Sequence, residues 1–386
     1  MANQLKWVWV AALCACGAKE APGLSGGPGP WPTQPLTHFS SVYGLGDDLL
    51  AVGSDEGHNL WLLDGSHRLG VLPAGATAPT WTRGLGQAGR GFTASAVCGG
   101  ASGQAYVGYL AAEPNPTFRA QPFRLDEPSE GDVDVVALES GGIGLTRHLS
   151  LFNSNDHHYN EVSAILTCAR VVRGPSRGDV YVGSNHAVTR IRGLDYSDHR
   201  HPVWSDQGSL RVGYHRAVAI GQEGQVLIGN DWKVALLAPP PALEGWIDYQ
   251  ANPWKLDTYV PQLNSLEAFD HWEAAAQTRE GTFYFASRDD GLWSLPANYG
   301  SPSTTAFTKV SGLPTGALTA LAATDDGALF IGTQSSGLWR RERDGRLARV
   351  NDVTGDQVRQ LVYDPSVEPP LLLVLTNAGL FGLRGP

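Results

Sequence analysis

The polar and apolar positions from Leu318 to Arg341, LTALAATDDGALFIGTQSSGLWRR, predict three short strands. LTALAAT, ALFIGT and GLWRR are apolar or alternating over a few residues, a pattern that suits buried antiparallel strands. Asp325-Asp326-Gly327 joins the first pair and Gln334-Ser335-Ser336 the second. Asp-Gly at such a junction supplies the positive φ that a tight hairpin needs. The phrase recurs from Val162, Ala217, Glu273 and Val358, and more loosely from Leu49 and Ser95. The small residue closing each second strand is expected at Gly53, Gly108, Gly183, Gly229, Ala286 and Gly332, with Leu375 in the last copy. Successive markers lie between 43 and 75 residues apart. Several strands per repeat at that period indicate the blades of a propeller.

The expected fold is therefore all-β, a seven-bladed β-propeller of antiparallel sheets. The last copy is one strand short, and the segment Gln34 to Phe39 is expected to lend it an outer strand. Lending it the N-terminal strand closes the ring and removes an exposed edge. DDGALFIGTQSSGLWR resembles the two-component regulator propeller repeat, as does Asn160 to Ile165 followed by Val180 to Ser184. The resemblance covers about half the chain, mainly repeats three to six. It implies the same fold and a scaffold for sensing or interaction, and fold alone does not fix function.

Composition narrows the partners. The net charge is −10 with only five lysines, and no basic patch interleaves with aromatics. Nucleic acid is not an expected partner. Residues 1–15 carry one cation, Lys6, and an apolar run from Trp7 to Ala15 of signal-peptide length. Leu13-Cys14-Ala15-Cys16 resembles the bacterial lipobox, which implies lipid on Cys16. Cys14 departs from the small or β-branched residue usual there, and a plain secretory signal is the alternative. The Gly/Pro-rich residues 16–31 read as a flexible tether, and residues 32–386 as the propeller. Export places the protein at the periplasmic or outer surface of a bacterial membrane. Cys98 and Cys168, late in the innermost strands of neighbouring repeats, then either form a disulfide or remain buried thiols.

Two inserts interrupt the repeats, Ala111 to Gly142 and the aromatic stretch from Ala238 containing Trp246, Tyr249, Trp254 and Tyr259. In a blade, the start of the first strand and the turn after the second share a face. That rule gathers His157, His158 and Glu161 with His186 in repeat three. It adds His215, Arg216 and Asp231 in repeat four, and His271, Glu273 and Asp289 in repeat five. Together they form a polar crescent at one mouth of the channel. Asp198 to His201 are expected toward the opposite face. The favoured reading is non-catalytic recognition of an envelope protein, peptide or glycan, with no cofactor. The alternative is a metal-assisted lyase or hydrolase, in which the crescent's imidazoles and carboxylates hold a divalent ion. No fixed metal-ligand spacing, nucleophile elbow or phosphate loop is present in the sequence. A sensing ectodomain is a third reading.

Overall fold

The computed structural model describes residues 31, 35–110, 133–149, 151, 164–174, 176–184, 188–196, 214–230, 234–237, 271–298 and 307–385. Among them the regular structure is strand, apart from one helical turn at Phe39–Tyr43 and a 3-10 turn at Gly86–Arg90. The strands form seven antiparallel sheets, six of four strands and one of three. Their innermost strands are Ala51–Ser54, Thr93–Gly99, Ile165–Arg170, Ala217–Ile220, Trp272–Gln277, Leu318–Ala323 and Val358–Asp364. Each innermost strand packs beside the next, and Val358–Asp364 packs beside Ala51–Ser54, so the order is circular. The architecture is an all-β propeller.

Apolar clusters between neighbouring sheets hold it together. Tyr106, Leu149, Ile165 and Val182 share one between the second and third sheets. Trp272, Phe285 and Leu295 belong to another beside the fourth. Full burial of such a side chain contributes about 1.5–3 kcal/mol, against the entropy of ordering it. The repeated glycine has a specific cause. A Cβ on Gly108 would lie 2.3 Å from Ile165, on Gly183 2.3 Å from the His215 carbonyl oxygen, and on Gly229 2.5 Å from Trp272. On Gly332 it would lie 2.7 Å from Val358. At each position the next sheet's innermost strand begins directly against the glycine, so no side chain fits between the sheets.

Thr37–His38 pairs antiparallel with Gly382 and Phe381, adding an N-terminal outer strand to the C-terminal sheet. The strand is shorter than the expected Gln34 to Phe39, because the helical turn Phe39–Tyr43 starts at once and ends at Gly44 with φ 65°. That turn puts Phe39 over Gly382 and brings the Ser40 hydroxyl oxygen 3.0 Å from the Leu380 N–H. Trp31, expected to end the tether, is instead buried with Phe330 and Tyr363 edge-on at 6.0 Å. Two further expectations are corrected. Gly53 lies in an innermost strand, not a second one, so the first repeat is offset by one strand from the expected phase. The insert from Ala111 to Gly142 is shorter than expected, since Val133–Glu139 forms the third strand of its sheet.

Candidate functional site at the channel mouth

The innermost strands surround a cavity of ≈ 460 Å³. Runs of small residues, such as Ala274 to Ala276 and Ala322-Ala323, leave this space because they carry little volume into it. The cavity has two unlike ends: a mouth where these strands begin and a floor where they end.

At the mouth, the fifth sheet brings together residues that the sequence predicted as neighbours. His271 precedes the innermost strand, and its Nδ1 lies 3.0 Å from Asp289 Oδ2 in the turn after the second strand. The backbone there has φ 43°, a left-handed conformation uncommon for a residue with a side chain. Arg288 on the same turn forms an ion pair with Glu273. Glu273 also lines the cavity with Arg216, whose guanidinium stacks 4.8 Å over the Tyr214 ring. Burial pushes the Glu273 carboxyl up, and the Arg288 and Arg216 charges only partly oppose that rise. Desolvation thus outweighs two cations nearby.

His215 does not join this group. It is fully buried, with Nδ1 3.1 Å from the Ser184 carbonyl oxygen, and its own N–H also donates to that carbonyl at 2.8 Å. These bonds set it at the junction between the third and fourth sheets. His157, His158, Glu161, His186 and Asp231 lie outside the described residues, as do Asp198 to His201 and the aromatic insert after Ala238. Cys16 lies outside them too. Among the described residues, no three His, Cys, Asp or Glu side chains converge as metal ligands.

The floor is built by residues that the sequence reading did not single out. The third sheet's first hairpin is longer than its counterparts and carries Arg170, Arg173 and Arg177. Arg170 Nη2 lies 3.4 Å from Asp364 Oδ2 and 3.3 Å from the Ser54 hydroxyl. Asp364 also accepts the Ser54 hydroxyl at 2.8 Å. Arg173 donates to Gln222 at 2.6 Å and to Asp325 at 2.5 Å, while Arg177 reaches Glu56 at 3.1 Å. One hairpin thus reaches the first, fourth, sixth and seventh sheets. Burial pulls the Arg170 pKa down, with the Asp364 charge opposing it. Three arginines within eight residues of an overlong hairpin are the signal that sequence offered.

Cys98 and Cys168 face this cavity from adjacent innermost strands and are joined by a disulfide, with their Cα atoms 6.0 Å apart. Among the described residues no helix is long and apolar enough to cross a membrane.

Fold and site define a propeller with one braced end and one polar mouth. No protein-family model matches the chain, and no curated protein does. Solved propellers resemble it in fold. Virginiamycin B lyase from Staphylococcus aureus superposes with a TM-score of 0.57 at 8% identity, over 91% of this chain and 98% of that one. The extracellular domain of a hybrid two component system from B. thetaiotaomicron gives 0.54 at 11% identity, over 91% of this chain and 40% of that one. The WD40 propeller domain of Doa1 gives 0.54 at 10%, over 87% and 92%. Likeness at these identities is one of fold: the three neighbours are an enzyme, an extracellular domain and a WD40 domain.

Proposed function

We propose that this protein is an exported lipoprotein whose seven-bladed propeller recognises an envelope protein, peptide or glycan at the channel mouth, without catalysis. In this reading residues 1–15 are removed, Cys16 carries the lipid, and residues 16–30 tether the folded body, into which Trp31 packs, to the membrane. The observation that carries it is the asymmetry of the channel. Arg170 and Arg173 brace the floor, while Arg216, Glu273, His271 and Asp289 present mixed charge at the mouth. Convergent polar groups around a cavity of this size are a common form of ligand site. The Cys98–Cys168 disulfide supports export, because such bonds persist in oxidising compartments.

Two measurements test the reading. Radiolabelled palmitate fed to the expressing bacterium should mark the wild type and leave Cys16→Ala unlabelled; label on both refutes the anchor. Affinity capture from envelope membranes should recover a partner that Arg216→Gln with Glu273→Gln loses. A partner retained by that variant moves recognition away from the mouth. The metal-assisted alternative depends on His157, His158 and His186. Stoichiometric divalent metal in the purified protein, lost when these three become Ala, would favour it.

A further inference from the structure

A second cavity, of ≈ 190 Å³, lies beyond the channel floor between the first and seventh sheets. The Arg170–Asp364–Ser54 contact separates the two spaces: Arg170 lines the channel, Asp364 the second cavity, and Ser54 both. Phe39, Leu60, Leu72 and Leu371, all buried, form its walls together with Val367. Tyr43, His58 and Arg384 complete the lining with donors that the fold leaves largely unused. The His58 ring makes no hydrogen bond among the described residues; its Nδ1 stands 4.0 Å from Asp364 Oδ2, and its side chain is 42% exposed. Arg384 gives one N–H to the Pro369 carbonyl oxygen at 3.0 Å and forms no ion pair among the described residues. The Tyr43 hydroxyl has no hydrogen-bond partner among them either. His58 is held by its turn: its φ is 62°, and the Asp55 carboxylate accepts the N–H groups of Gly57 at 2.8 Å and Asn59 at 3.1 Å. Asp364 is the opposite case. Its Oδ2 accepts Ser54 and Arg170, and its Oδ1 accepts the N–H and the hydroxyl of Ser366, so its lone pairs are taken and its charge is opposed.

We propose that this cavity binds a small carboxylate with a compact apolar body, of the size of benzoate. The body lies against Phe39, Leu60, Leu72 and Leu371, and the carboxylate meets Arg384 and His58 with the Tyr43 hydroxyl as a further donor. A guanidinium suits a carboxylate because its planar donors match the two oxygens. An ammonium ligand would face the Arg384 charge and find Asp364 already saturated, and a neutral apolar one would leave the three donors unused. An apolar cavity of about 150 Å³ takes one benzene ring. The space here therefore admits a ring or short branched chain with its carboxylate and excludes larger bodies. The site is separate from the channel mouth and does not rest on recognition there. Its ligand would touch the N-terminal helical turn, the first sheet and the seventh, which are the elements that close the ring. Binding should therefore stabilise that closure.

Isothermal titration of the purified protein with sodium benzoate and sodium isovalerate tests this, with benzamide and benzylamine as neutral and cationic counterparts. Benzoate should bind at one site, raise the melting temperature and slow amide exchange at Leu380, whose N–H is held by Ser40. Benzamide should bind about tenfold more weakly, and benzylamine should not bind. Arg384→Gln and His58→Asn should each weaken benzoate about tenfold, as expected for loss of a charge-assisted hydrogen bond. Asparagine tolerates a left-handed φ, so the turn at His58 persists. Ala76→Leu, which fills the cavity, should abolish binding. Arg359→Gln, in the channel lining, should leave it unchanged. Thermal melts establish that each variant folds, and Arg384→Gln serves if Ala76→Leu unfolds. Failure of both carboxylates to bind, benzamide or benzylamine binding as tightly, or full affinity in Arg384→Gln and His58→Asn would each overturn the proposal. Loss of binding in Arg359→Gln would move the site to the channel and overturn it too.

Discussion

Arg170 and Asp364 stand 194 residues apart in sequence, and their side chains meet at 3.4 Å at the channel floor. The pair links the third sheet to the seventh, which are not neighbours in the ring. Both side chains are nearly inaccessible, at 6% and 1% exposure, so neither charge keeps much hydration. Removing one partner strands the other: Asp364→Ala should cost about 3–5 kcal/mol of unfolding free energy. Arg170→Ala with Asp364→Ala together should cost less than the sum of the single changes. Denaturant unfolding of the four proteins in the cycle checks this, and strict additivity would count against a coupled pair.

The Cys98–Cys168 bond closes a loop of 70 residues between two innermost strands. Chain-entropy reasoning assigns such a closure about 4 kcal/mol, acting on the unfolded state. The double variant Cys98→Ala with Cys168→Ala should lose most of that stability while keeping the far-ultraviolet spectrum of a β protein. Adding reductant should lower the melting temperature of the wild type and leave the double variant unchanged.

Glu273 gives the mouth a defined response to pH. Burial holds its carboxyl above the ordinary value of 4.5, against the pull of Arg288 and Arg216. The folded chain therefore binds this proton more tightly than the unfolded chain does. Its contribution to stability is complete below about pH 4.5 and is lost as pH rises through the elevated value. Glu273→Gln lacks that titration. Unfolding free energies from about pH 4 to about pH 8 should show the wild type losing stability relative to the variant across this window. A difference that stays constant would contradict the assigned direction.

The closure between the chain's two ends has its own steric test. A Cβ at Gly382 would come within 2.1 Å of Phe39 Cε2. Gly382→Ala should therefore displace the ring and cost about 1–3 kcal/mol, as overpacking does. Combining it with Phe39→Leu should restore part of that loss relative to the Phe39→Leu background. Hydrogen exchange at Leu380, whose N–H is held by Ser40 in the native protein, reports the closure directly.

The hairpins of the sixth repeat were legible in the sequence because Asp325-Asp326-Gly327 is local turn chemistry, and Gly327 indeed takes φ 88°. The meeting of His271 with Asp289 was legible for a related reason: both follow from strand direction within one sheet. His215 was not. Its side chain lies beside a neighbouring sheet, and a histidine before a strand looks the same whether it faces a channel or a carbonyl oxygen.

By itself the sequence determined the all-β repeat, the strand lent from the N-terminal region and the glycines at Gly108, Gly183, Gly229 and Gly332 that close second strands. These depend on alternation, turn residues and a small side chain recurring in most repeats, all readable over a few residues. The tertiary structure alone decided that Arg170 and Arg173 brace the floor and that Arg216 and Arg359 share a cavity. Those relations join sheets that are not neighbours in the ring, and they depend on how far a long flexible side chain reaches across it. Local pattern carries no such information.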